Sequence, residues 1–323
     1  MKTSLVAAGF GAGLCLAAIG LGGSAAATPV ANRAWVSGHG VDQAGCGAPV
    51  APCRSLQYAH DSIVIAGGEI DILDPAGYGS VTITKAISIV NDGVGTAGVQ
   101  ASSGNAITIN AGPGDAVYLK GLNIDGIHAS ASNGVQLNTA GTLTIINCVA
   151  RHFANAGILL SPTTSTQMNV VDSVMTDDGL GLSYSVTGTG FLDTLVIEHA
   201  FAADDDIGFR VNGAGAGEVD ANISDSHADN NQSFGVELQQ AGAYSMSVGL
   251  DNIHADDNLK DGVAVSGALV ANLNRSVVRA NALWGVESSQ LTAGAVVSYG
   301  NNLIHNNGIG DIDGSALTQV ALQ

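Results

Sequence analysis

The chain has 323 residues, 46% of them apolar and only 12% charged, with a formal net charge of −18 at pH 7. That balance excludes partners held by their own negative charge, so neither nucleic acid nor an anionic membrane surface is expected to bind. The apolar content suffices for a large core, which leaves the surface to Ser, Thr, Asn, Gln and the 44 glycines.

Lys2 leads an apolar run from Leu5 to Leu21, followed by Ala25-Ala26-Ala27. This reads as a secretory signal peptide over 1–27, removed at the small-x-small alanines. Cys15 follows Leu14, where lipid attachment would need a small residue. No later segment is long and apolar enough to span a membrane. The expected location is therefore secreted, periplasmic or extracellular. In that setting Cys46 and Cys53, within GCGAPVAPC, are expected to form a disulfide. Metal binding by the pair is the rival reading, and no second cysteine pair supports it. Cys148, in TLTIINCV, reads as a buried thiol.

Residues 28–67 form a leader and cap. The leader holds Trp35 and SGHGVD. Leu56, Ala59 and Ile63 then share one helical face, and Gly67-Gly68 follows. A helix over 54–65 is expected to cover the first open end of what comes next.

From 68 to 323 the chain reads as one repeating unit. Strand alternation appears in EIDIL (69–73), SVTIT (80–84), ISIV (87–90), ITIN (107–110), VYLKGLNI (117–124) and LTIINCV (143–149). Gly134, Gly157, Gly181, Gly208, Gly235, Gly262 and Gly285 then recur at spacings of 23–27. Each precedes an apolar residue: Val135, Ile158, Leu182, Phe209, Val236, Val263 and Val286. These are expected to form one inward stack. Second apolar runs follow, as in MNVVDSVM (168–175), YSMSVGLDNI (244–253) and ANLNRSVV (271–278). A period in the twenties without helices predicts an all-β right-handed parallel β-helix. About ten coils are expected, stacked at about 4.8 Å.

The segment APCRSLQYAHDSIVIAGGEIDIL (51–73) resembles the opening of the pectate-lyase-like superfamily of parallel β-helix proteins. VSGHGVD (36–42) matches that family's leader loosely, PCRSLQYA (52–59) matches its cap, and NIHADDNLKDGVAV (252–265) looks like its generic repeat. The resemblance implies fold over nearly the whole chain and leaves activity open. A polygalacturonase-like site would need Gly-His-Gly and Arg-x-Lys. Gly38-His39-Gly40 precedes the cap, and no Arg-x-Lys occurs. A pectin-esterase-like site would need paired Asp and an Arg on one outward row. That row here is Gln136, Leu159, Ser183, Arg210, Glu237, Ala264 and Glu287. A calcium-dependent lyase needs clustered carboxylates and a basic residue.

Two segments offer the best candidate site, HADNN (227–231) and HADDN (254–258), 27 residues apart. Stacking would place His227 over His254, Asp229 over Asp256 and Asn230 over Asp257. Asp204, Asp205 and Asp206 lie one coil earlier, with His199 expected to match His227. Arg279 and His305 continue the column. Asp204, Asp205, Asp206, Asp229, Asp256 and Asp257 are thus candidate ligands for calcium, the one cofactor the pattern suggests, though the sequence requires none. The rival reading is a column of solvated turns. Arg210 with Glu237 reads as a cross-coil ion pair, and Trp284 as either a sugar-stacking residue or corner packing. No complete catalytic set is present. The chain is read as an exported protein that binds polysaccharide or a cell-surface component. A calcium-dependent polyuronate lyase and a purely structural protein are the alternatives.

Overall fold

The computed structural model describes Met1 and residues 29–127, 130–314 and 317–321. Met1 aside, the signal peptide expected over 1–27 lies outside the described residues. The rest is a parallel β-solenoid of about nine turns with one short helical cap. Every named pairing between strands is parallel, as in His227–Asp229 on His254–Asp256 and Leu182 on Phe209. Among the described residues no helix is long and apolar enough to cross a membrane.

Each regular coil has three walls. The coil beginning at His227 runs through a three-residue strand, His227–Asp229, then Val236–Gly242, then Ser245–Asp251. These belong to a short-strand wall, a glycine wall and a third wall. Two of the second apolar runs, MNVVDSVM and ANLNRSVV, therefore divide in two, while YSMSVGLDNI ends at a corner. MNVVDSVM gives strands at Gln167–Val171 and Val174–Thr176, split by Asp172 at φ 50°. A left-handed residue turns the chain sharply, which continuous alternation in the sequence does not reveal. In VYLKGLNI the same corner falls on Gly121 at φ 70°, where a Cβ would also stand 2.4 Å from the Asn91 carbonyl oxygen.

The expected inward stack is present. Val135, Ile158, Leu182, Phe209, Val236, Val263 and Val286 follow one another in register, all at most 1% exposed. Tyr184 and Tyr244 lie inside as well. Their hydroxyls meet at 2.6 Å, and that of Tyr184 donates to Asp193 Oδ2 at 2.7 Å.

At the N-terminal end the leader itself supplies a strand, Ala31–Val36, parallel to Val64–Ile72. The helical cap is shorter than expected. Ser55 caps it by accepting the Tyr58 N–H, an α-turn covers Leu56–Tyr58, and a wider π-turn covers Ala59–Ile63. It stops there because Val64 pairs with Ala31. Cys46 and Cys53 are disulfide-bonded, and Cys148 is buried and free.

Candidate functional site

The short-strand wall carries the candidate residues. The middle residue of each strand points inward, as do Met175, Ala202, Ala228, Ala255 and Val278, all fully buried. The first and third residues point out. Val174, Phe201, His227, His254 and Val277 therefore form one outward row in register. The His227 and His254 rings stack with centroids 4.6 Å apart, and Phe201 meets His227 at 5.9 Å with a tilt of 41°. Phe201 is 41% exposed, so the row is an accessible aromatic ridge.

The third residues form a row beside the ridge, Thr176, Ala203, Asp229, Asp256, Arg279 and His305, polar except at Ala203, with Ala203 and Asp256 buried. Asp229 Oδ2 lies 3.1 Å from His227 Nδ1, and Asp229 Oδ1 accepts the Asp256 N–H at 3.0 Å. Asp256 in turn accepts the Arg279 N–H and Nε at 3.2 and 3.1 Å. Desolvation raises the Asp229 carboxyl above its ordinary range, against the hydrogen bonds from Asp256 and His227. A groove of about 340 Å³ opens farther along the wall, between Gln100, Asn123, Asp125 and Arg151.

His199 does not occupy the place expected of it. Phe201 is the residue in register with His227. His199 sits two residues earlier at a corner, φ 50°, like Asp225 and Asn252 in the next coils. Loop lengths differ between repeats, so equal offsets along the sequence do not give equal places on the wall.

The acidic column also separates. Asp204, Asn230 and Asp257 stand at the second corner with φ of 62°, 58° and 57°. Asp206 Oδ1 accepts from the Ser233 hydroxyl at 2.7 Å. Asp205 is fully buried and faces away from solvent. The six carboxylates do not converge on one point. Among the described residues, three ligand atoms approach within 4.8 Å of one another at Asp42, Cys46 and Cys53, and at Glu198, His199 and Asp225. In the first group the sulfurs are committed to the disulfide.

Asp205 belongs instead to a buried ladder that hydropathy did not reveal. The Phe153 N–H donates to Asp178 Oδ1, the Asp178 N–H to Asp205 Oδ1, and the Asp205 N–H to Asn231 Oδ1. Asn258, Asn281 and Asn307 continue it by the same bond. Each asparagine Nδ2 also donates to a carbonyl one coil back, at Ala202, Ala228, Ala255 and Val278. The repeated glycines make room for these side chains. A Cβ on Gly235 would stand 2.8 Å from Asn258 Nδ2, and one on Gly262 would stand 2.6 Å from Asn281 Nδ2.

Arg210, Glu237 and Trp284 lie on the glycine wall, apart from the histidine ridge. Arg210 Nε pairs with Glu237 Oε2 at 2.5 Å, and Gln239 donates to Glu237 Oε1 at 2.8 Å. The Trp284 ring covers Gly310 of the following coil.

The fold is a pectate-lyase-like parallel β-helix. The crystal structure of pectate lyase Pel9A aligns with 90% of this chain and 78% of its own, with a TM-score of 0.50 and 12% identity. That likeness concerns architecture. No protein-family model matches the sequence, and no curated protein matches it.

Proposed function

We propose that the protein binds polysaccharide along the short-strand wall and performs no lyase chemistry. The observation that carries this reading is the exposed ridge of Phe201, His227 and His254, flanked by Asp229, Asp256 and Arg279. Aromatic faces stack on the apolar faces of sugar rings, and a polar row alongside meets their hydroxyls. The ridge runs across successive coils, which suits an extended polymer.

Charge narrows the ligand. Carboxylates line the ridge, and the chain carries a net charge of −18. A polyuronate would be repelled, so the reading favours neutral or amino-bearing glycans. Apart from the ridge imidazoles, the lysines and arginines described next offer little to elimination chemistry, which needs a free base beside the sugar. Lys85 donates to the His60 and Val64 carbonyls, Lys120 pairs with Asp92, and Lys260 lies over the Phe234 ring. Arg151, Arg210, Arg275 and Arg279 are each paired with a carboxylate.

Affinity electrophoresis against neutral, amino-bearing and uronate polysaccharides tests the proposal. Binding should appear with the first two classes. The Phe201→Ala/His227→Ala variant should lose about tenfold in affinity, on the order of 1.4 kcal/mol. Unsaturated products from pectin or alginate, or unchanged binding by the variant, would overturn it.

A further inference from the structure

The buried ladder changes chemistry partway along. Its later rungs are asparagines, yet the rungs at Asp178 and Asp205 are aspartates, 7% and 0% exposed. Both use Oδ1 as the asparagines do, accepting the N–H of the preceding rung. Their Oδ2 atoms take the place of the asparagine amide nitrogens. A Cβ on Gly157 would stand 2.3 Å from Asp178 Oδ2, and one on Gly181 would stand 2.4 Å from Asp205 Oδ2. On Gly235 and Gly262 the same position faces an asparagine Nδ2.

An amide nitrogen in that place donates to a carbonyl one coil back. In register, the Ala202 carbonyl used by Asn231 corresponds to Met175 for Asp205 and to Ala150 for Asp178. Both Oδ2 atoms are buried and have no hydrogen-bond donor. An ionised oxygen there would set acceptor against acceptor in a dry interior.

We propose that Asp178 and Asp205 are built into the ladder as neutral carboxylic acids, each donating its proton to a main-chain carbonyl of the preceding coil. Loss of those protons then destabilises the coil that carries Phe201 and the coil before it, so the solenoid carries an acid-stabilised, base-sensitive segment.

The surroundings agree with this assignment. The charged groups acting on Asp178 are Asp205, Asp177 and Asp125, and those acting on Asp205 are Asp177 and Asp204. The nearby His152 is engaged with Asp125 and Asp177. Burial first, then these like charges, push both carboxyls up to about 8. The folded chain keeps protons that the unfolded chain gives up above about pH 4. The stabilisation is therefore full below about pH 4 and is lost as pH rises to about 8.

The test compares the wild-type chain with Asp178→Asn/Asp205→Asn, because asparagine supplies the same donor and acceptor without titrating. Urea unfolding from about pH 5 to about pH 9 should show the wild-type unfolding constant rising by up to about tenfold per pH unit for each carboxyl. The variant should lose that part of the slope and be the more stable chain at about pH 8. Equal slopes in the two chains would overturn the proposal. Carboxyl-carbon NMR titration of the wild-type chain gives a second reading that does not depend on the variant folding. Two aspartates should titrate near pH 8, and a spectrum with no aspartate titrating above about pH 7 would refute the assignment.

Discussion

Removing a single rung, Asn258→Ala, should destabilise the solenoid out of proportion to the atoms lost. Asn258 is 1% exposed. Its Oδ1 accepts the Asn231 main-chain N–H at 2.9 Å, and its Nδ2 donates to the Ala228 carbonyl at 3.0 Å. Alanine leaves both main-chain groups buried without partners. At about 1–3 kcal/mol for each orphaned group, the loss should be about 4 kcal/mol. The Asn281 side chain also loses a donor, at 2.9 Å, but its Oδ1 still accepts the residue-258 N–H. Urea unfolding followed by circular dichroism measures the total. Native-state hydrogen exchange locates it, because stacked repeats open locally, and protection should fall first in the coils around 228–236. A loss below about 1 kcal/mol with unchanged exchange would show that main-chain pairing alone holds these corners.

Four further outcomes are expected. Phe209→Ala opens a void in the middle of the inward stack and should cost roughly 3–5 kcal/mol by urea unfolding. Replacing Cys46 and Cys53 together by Ser should cost on the order of 2 kcal/mol, read as a lower melting temperature than that of the oxidised chain. Since the six carboxylates of the acidic column do not converge, saturating calcium and chelator should give the same melting curve. A stabilisation approaching about 2.7 kcal/mol at a hundredfold excess of calcium would contradict that geometry. Burial pushes the Cys148 thiol up to about 11, so a maleimide should label it in urea and leave it untouched in the native chain at neutral pH.

The architecture was legible because it is written at a fixed offset. An apolar residue after each repeat glycine finds its neighbour one coil away, so Val135 through Val286 could be stacked from spacing alone. The same arithmetic placed His227 over His254 and Arg279 over His305. It failed where the offset drifts. Asp178 and Asp205 lie three residues before their glycines, whereas Asn231, Asn258 and Asn281 lie four before theirs. No single register displays the ladder, and Asp and Asn look like surface turn residues until their partners are known. His199 was misplaced for a related reason, since corner residues and strand residues differ by only two positions. The aromatic ridge is not legible in the sequence, because Phe201 has no counterpart among the histidine repeats except in three dimensions.

The corners of the short-strand wall have a consequence for how such a molecule varies over time. Asp172, Asp177, Asp204, Asp225 and Asp257 all stand at positive φ, where Asn does equally well. Asn147, Asn230, Asn252 and Asn306 occupy such places in this same chain. His152, His199, Arg275 and Ala280 hold other corners of the series, so the backbone fixes neither the charge nor the size of the side chain there. Exchanging those five aspartates for asparagine would take five units off a net charge of −18 while leaving every bend in place. The acidity of this face is thus a coat that lineages of the scaffold can put on or take off one residue at a time, changing which solutes gather at the wall without altering how the chain folds.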